Sequence, residues 1–498
     1  MSYRDGSDSS LKSTSMARLH QILDRIVFYG LLTTIVVTAV PYGSAQPWWT
    51  ALFECLVFVL AIVGILDLMI TKDSLPKGAS VAVPLVLMCL FLLFQSLPLF
   101  AAGNQVIPDL RLSISADPFN TQQLAMKLLT LILVGVLLLR YAKTEARVRA
   151  VVYVVIGVGL ASALLGLLRQ GSGGPGWFFP LPKPERGFAQ FVNRNHFGFL
   201  MEMTFGLALG VAIFSQRYRR LVFLAVAAIL WLTLIVSNSR GAIFASLCQI
   251  MFALILIGPA LLNFGGSSNE PSRARRILGG LPVKVLLVIG LVVIFAYGVR
   301  WVGGEAVVRN IELTGSAFAE QGGHELRENV SRRDIWRATW QLAKAHPLVG
   351  SGFGGYWIAI TKHHDASGKL TPQEAHNDYL EAMAGGGIIG VALILWFAVR
   401  FVKRAVITLR APNRWSRGVA FGSLAGLFGV MMHSFVDFGL HVPANALLFT
   451  VLLVVAVPEY VRHAAGEQVS RDEHRRLASA SGSEAQHEQA LVYDRTLP

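Results

Sequence analysis

The sequence predicts an all-α polytopic membrane protein of about twelve transmembrane helices, with a long, partly helical outer loop between the ninth and tenth spans. Three observations predict it. Of 498 residues, 54% are hydrophobic and 15% charged, too few charges to cover a water-soluble surface. Apolar runs long enough to span a bilayer fall near 26–43, 48–70, 81–100, 122–140, 149–168, 196–214, 220–237, 241–263, 283–300, 382–400, 418–437 and 445–461. Basic residues alternate between the connecting segments, scarce in one set and frequent in the other.

In order along the chain, residues 1–25 are polar and Ser-rich and lack the apolar core and cleavage site of a signal peptide, so this segment is expected to be retained. The first apolar run is interrupted by Pro41 and Gly43. With the N-terminus inside, the inner segments carry 28 of the 44 Lys and Arg residues, including RYAKTEARVR, SQRYRR and RFVKRAVITLRAPNRWSR. Both termini are therefore expected to be cytoplasmic, with 1–25 as an N-terminal segment, 26–462 as the bundle and 463–498 as a polar tail. Most of the net charge of +14 fixes orientation, and the basic loops lack the interleaved aromatics of a nucleic-acid surface. Cys55, Cys89 and Cys248 lie in apolar runs and read as small core residues rather than a disulfide framework.

Two outer segments stand apart: the Gly- and Pro-rich 169–195 and the loop 301–380. In the second, Ile335, Trp336, Trp340, Leu342 and Ala343 recur at helical spacing, which predicts a packed amphipathic helix.

The outer face collects Arg186, Asn193, Arg194, Asn195 and His196 before the sixth span and Arg240 at the start of the eighth. Arg240 suits bidentate contact with phosphate oxygens, or else snorkels to headgroups. His376, beside Asn377, Asp378 and Glu381, is either an acid/base group whose tautomer a neighbouring carboxylate such as Asp378 or Glu381 holds, or a capping histidine at a helix start. Glu54 and Glu202 are intramembrane acids and Asp437 ends the eleventh span; Glu202 is expected to pair with Arg194 or His196, in a structural role. His363, His364, Asp365, His376 and Asp378 match no established metal-site spacing, so no metal is expected, and no nucleotide-binding glycine motif occurs.

The ordered series FVNRNHFGFLMEM, SNSRGAIFASL, SRRDIW with HPLVGSGFGGYW, EAHNDYLEAMAGGGIIG and HSFVDFGLHVPANA resembles the O-antigen ligase and polymerase superfamily over about 186–446. The resemblance implies a GT-C type glycosyltransferase of the bacterial inner membrane, active on the periplasmic face without metal or other cofactor. It would transfer a glycan from undecaprenyl diphosphate, with inversion, to an acceptor hydroxyl on a glycan, lipid A core or protein. By the same resemblance His376 is the general base, Arg240 and Arg332 (or Arg333, one position on) hold the diphosphate, and Trp336 is the tryptophan that follows them. Protein O-oligosaccharyl transfer within the superfamily is the nearest alternative. A transporter is the more distant one, disfavoured because no paired halves are visible.

Overall fold

The computed structural model describes residues 5–101, 111–172, 187–261, 281–303, 332–364 and 372–458. Arg186 lies outside the described residues, as do 173–186, 304–331, 365–371 and the tail 463–498. Every apolar run falls on a helix. In order these are α1 (Asp5–Ala39), α2 (Pro47–Thr71), α3 (Val83–Gln95), α4 (Pro118–Tyr141), α5 (Glu145–Ser172), α6 (Arg194–Phe214), α7 (Arg217–Val236), α8 (Arg240–Leu261) and α9 (Leu281–Gly303). After the long loop's α10 (Arg332–Ala345) and short α11 (Tyr356–Ala359) come α12 (Asp378–Leu409), α13 (Arg414–His433) and α14 (Pro443–Val455). The described β structure is a two-residue antiparallel ladder, Phe100–Ala101 with Arg111–Leu112.

Among the described residues, nine helices are long and apolar enough to cross a membrane. α8 and α14 are apolar but shorter over their described spans, Arg240–Leu256 and Pro443–Val455. α13 is not among the nine, because its glycines, serines and two N-terminal arginines dilute its apolar content. The expected count of twelve therefore becomes nine helices that meet the criterion and three further helices at the remaining runs.

α6 is the axis of the bundle: 89% of its most apolar window is buried inside the protein, against 11% for α9, which presents its apolar side chains outward. α6 and α13 approach backbone to backbone. A Cβ on Gly210 would stand 2.3 Å from the Gly418 oxygen, and one on Gly422 would stand 2.7 Å from the Gly206 oxygen. Such small-residue seams let helices approach in lipid, where packing rather than water exclusion drives association.

α1, α2 and α4 are tied together at one end by the buried Asp67 of α2, which takes His20 Nδ1 at 2.6 Å, Tyr141 Oη at 2.8 Å and Arg140 Nη2 at 3.3 Å. At the other end Gln95, the last residue of α3, bonds outward to the loop. Its Nε2 donates to the Val349 and Gly385 oxygens at 2.6 and 2.9 Å, and its Oε1 accepts from the Phe353 N–H at 3.2 Å. The loop helix α10 forms where its spacing predicted and buries Ile335, Leu342 and Ala343, but Trp340 points away and is 46% exposed. Ala338 and Thr339 take the buried face instead. Cys89 and Cys248 are buried as expected, whereas Cys55 is exposed on the side of α2.

Candidate functional site

Five helices begin around one carboxylate. Asp437, in the turn between α13 and α14, is fully buried. Asn195, on the first turn of α6, donates its Nδ2 to Asp437 Oδ2, and Ser239, just before α8, donates to Asn195 Oδ1 at 2.7 Å. Arg332, the first residue of α10, brings Nη2 to 3.5 Å from Oδ2, and His376 before α12 brings Nδ1 to 3.4 Å from Oδ1. Asn445 on α14 ties the fifth helix in by donating to the His196 oxygen at 2.9 Å. Burial alone would raise the Asp437 carboxyl, but the nearby His376, then the Arg332 guanidinium, hold it well below the usual carboxylate range.

The local sequence explains these placements. Asn193 caps α6, its side chain accepting from the Asn195 N–H at 2.8 Å, and Asn377 caps α12 by accepting from the Tyr379 and Leu380 N–H groups. His376, immediately before that cap, has a left-handed backbone at φ 50°. A β-carbon makes this conformation costly, and Trp336 Nε1 helps hold it by donating to the His376 oxygen at 3.3 Å.

The predicted partner of His376 changes. The sequence offered Asp378 or Glu381 to fix its tautomer; the structure places Asp437 there. Asp378 and Glu381 instead face His441, whose Nε2 lies 3.5 Å from Asp378 Oδ1 and 3.9 Å from Glu381 Oε1, with Nδ1 3.2 Å from Glu374 Oε2. Glu381 also accepts from the Ala375 N–H at 2.9 Å, closing the loop ahead of the helix. The His441 side chain is 40% exposed; partial desolvation opposes its charge, but Glu374, Glu381 and Asp378 outweigh that and push the imidazole up to about 10. Phe438 separates the two clusters, its ring 4.8 Å from that of His376, 5.1 Å from His196 and 5.6 Å from His441.

Glu374, Glu381 and His441 are the described residues arranged closely enough to ligate a metal, with donor atoms within 4.8 Å of one another. A histidine must lose its proton to bind a metal, and here the imidazolium itself neutralises the carboxylates.

Deeper in the bundle Glu202 pairs with His433 at 2.7 Å, not with Arg194 or His196, and both members are fully buried. α13 runs alongside α6 and delivers His433 to the face where Glu202 points. Glycines make room for the ring: a Cβ on Gly241 would stand 2.4 Å from His433 Nε2. Arg194 is half-buried at the start of α6.

The three arginines expected at a diphosphate meet at the C-terminal end of α9. Arg332 donates Nη1 to the Val302 oxygen at 3.2 Å and is 3% exposed. Arg333 donates to the Arg300 oxygen at 3.5 Å, and Arg240 lies over the Trp301 ring at 5.6 Å; both are exposed. Only Arg240 and Arg333 therefore offer guanidinium surface outward, while Arg332 lies against Asp437.

Sequence reasoning did not single out His433, His441 or Ser239. A signal for the histidines was present, since His433, Asp437 and His441 recur every fourth residue in HSFVDFGLH.

Comparison with curated proteins finds no match to the chain. Residues 224–395 match the family model Wzy_C, described as O-Antigen ligase, a stretch that contains Arg240, Arg332, Arg333, Trp336, His376, Asp378 and Glu381. Over this stretch, about a third of the chain, the sequence is similar to the O-antigen ligase family, in agreement with the resemblance read from its motifs.

Proposed function

We propose that the protein transfers a glycan from undecaprenyl diphosphate to an acceptor hydroxyl on the periplasmic face of the inner membrane, with inversion and without a metal. The observation that carries this reading is the convergence of five helix N-termini and Arg332 on the Asp437–His376 pair, with Arg240 and Arg333 exposed at the end of α9, where Arg332 also bonds. Helix N-termini and guanidinium groups favour anions, and the leaving group of this reaction is one.

His376 turns Nδ1 toward Asp437, which leaves Nε2 to accept the acceptor's proton. The acceptor oxygen attacks the anomeric carbon as the bond from that carbon to the phosphate oxygen breaks. Undecaprenyl diphosphate departs with the electron pair, and Arg240 and Arg333 offset the charge that grows on it. Asp437 then faces an imidazolium and stabilises it, while Arg332 keeps that carboxylate ionised. A positioned base supplies about 10²- to 10⁴-fold of rate, and the rest is positioning of two large substrates.

The test is replacement of His376 and Arg240 by Ala in the native host, with surface glycans resolved by chain length and by attachment to lipid A core, polymer or protein. Inserted but nearly inactive variants are expected, and the product missing from them identifies the acceptor. Full activity of His376→Ala overturns the assignment of the base.

A further inference from the structure

At the end of the bundle opposite the Asp437 cluster, a cavity of about 280 Å³ opens between the starts of α5, α7 and α13 and the end of α6. The length of α6 separates the two by about 30 Å. Its lining includes Arg149, Arg219, Arg414, Trp415, Phe214 and Gln216, and no carboxylate. We propose that this cavity binds the phosphodiester headgroup of an anionic phospholipid.

Three features of the walls favour an anion. Arg219 and Arg414 are exposed at the mouth, and Arg149 lies over the Trp415 ring at 4.7 Å. Glu145 brings one carboxylate to the rim, where it is engaged by Arg149 at 2.5 Å and by Asn413 at 2.7 Å, so guanidinium charge remains in excess. Within the walls Trp415 Nε1 and Arg149 Nε are buried and meet no hydrogen-bond acceptor among the described residues. A buried donor left in this state is costly, and an oxygen-rich ligand would relieve that cost. Gln216 starts α7 without a side-chain cap, adding N–H groups that favour negative charge.

The surroundings distinguish a lipid from a soluble phosphate. Directly beyond Arg219, α7 exposes Leu221 at 68% and Val222 at 53%, an apolar track beside the cavity suited to acyl chains. The cavity itself has room for a headgroup and no more. Basic pockets between transmembrane helices at a membrane surface recognise anionic headgroups in this way. The proposal is independent of the glycan-transfer reading, because none of its residues belongs to the Asp437 site.

The experiment titrates the purified full-length protein in mixed micelles with phosphatidylglycerol or phosphatidylcholine and counts retained lipid by native mass spectrometry. Wild type is expected to retain phosphatidylglycerol in preference. Each arginine near an anionic surface is worth about fivefold, so Arg219→Gln with Arg414→Gln is expected to weaken retention about 25-fold. Trp415→Phe, which keeps the packing and removes only the N–H donor, is expected to weaken it about tenfold. Lys143→Gln, an exposed basic residue outside the lining, is expected to change nothing. Retention unchanged in the Trp415 and double-arginine variants, or equally weakened by Lys143→Gln, overturns the site. Displacement of the lipid by millimolar inorganic phosphate overturns the lipid as occupant.

Discussion

Asp437→Asn removes one charge and little volume, yet it replaces one of the two carboxylate oxygens by an NH2 donor, so that either Arg332 and Asn195 at Oδ2 or His376 at Oδ1 loses its acceptor. At an effective dielectric of about 20, unit charges 3.5 Å apart attract by about 5 kcal/mol before desolvation is counted. The relevant cost is that of stranding the partner, because Arg332 is 3% exposed and cannot reach bulk water; removing one member of a buried pair destabilises by about 3–5 kcal/mol. The expected result is a large fall in the thermal midpoint of the purified protein, with transfer slowed about 10²- to 10⁴-fold as the base loses its orientation. Replacing Arg332 as well, by Met, removes the stranded charge and is expected to recover much of the stability and none of the activity. A single Asp437→Asn variant with wild-type midpoint and wild-type transfer refutes the reasoning outright. A double variant no more stable than the single one refutes the electrostatic part of it.

Other expectations concern pH, packing, metal and topology. His441 has a folded-state pKa raised to about 10, above an unfolded value of about 6.5, so its stabilisation is complete below about 6.5 and is lost as pH rises through about 10. Thermal midpoints should decline over that alkaline range, and His441→Gln should flatten the decline. Gly210→Ala places a Cβ 2.3 Å from the Gly418 oxygen and should cost about 1–3 kcal/mol by forcing α6 and α13 apart, whereas Gly157→Ala on α5 meets nothing within 4 Å and should be silent in the same melt. Transfer should persist in EDTA; loss restored by a divalent cation would instead assign Glu374, Glu381 and His441 as ligands. Cysteines placed at Glu320 and Arg410 should react with an impermeant thiol reagent from outside only at Glu320.

The helices were legible because apolar periodicity is a local property, written into each run of about twenty residues. The α10 face was legible for the same reason, except at Trp340, where spacing alone cannot say which edge of the stripe meets the protein. Most residues of the site carried a motif signal, and Arg240, Arg332, Asn195, His376 and Asp437 all come to one end of the bundle. Their pairings were not legible. Glu202 and His433 are 231 positions apart, and only the contact of α6 with α13 joins them. His376 has Asp378 two residues away in sequence but faces Asp437, which the α13–α14 turn brings to it from 61 positions away.

Gln95 carries a consequence for how this protein can be taken apart. The family match begins at residue 224, yet the segment Val349–Phe353 within it is held by a glutamine on α3, and Trp357 donates to Asp117 ahead of α4 at 3.0 Å. The match also stops at 395, before the carboxylate around which its own arginine and histidine are arranged. The region recognisable as a family is thus not a transplantable module. Chimaeras that exchange it between relatives must carry α3, the start of α6 and the α13–α14 turn with it, or the grafted histidine will arrive without the residues that aim it.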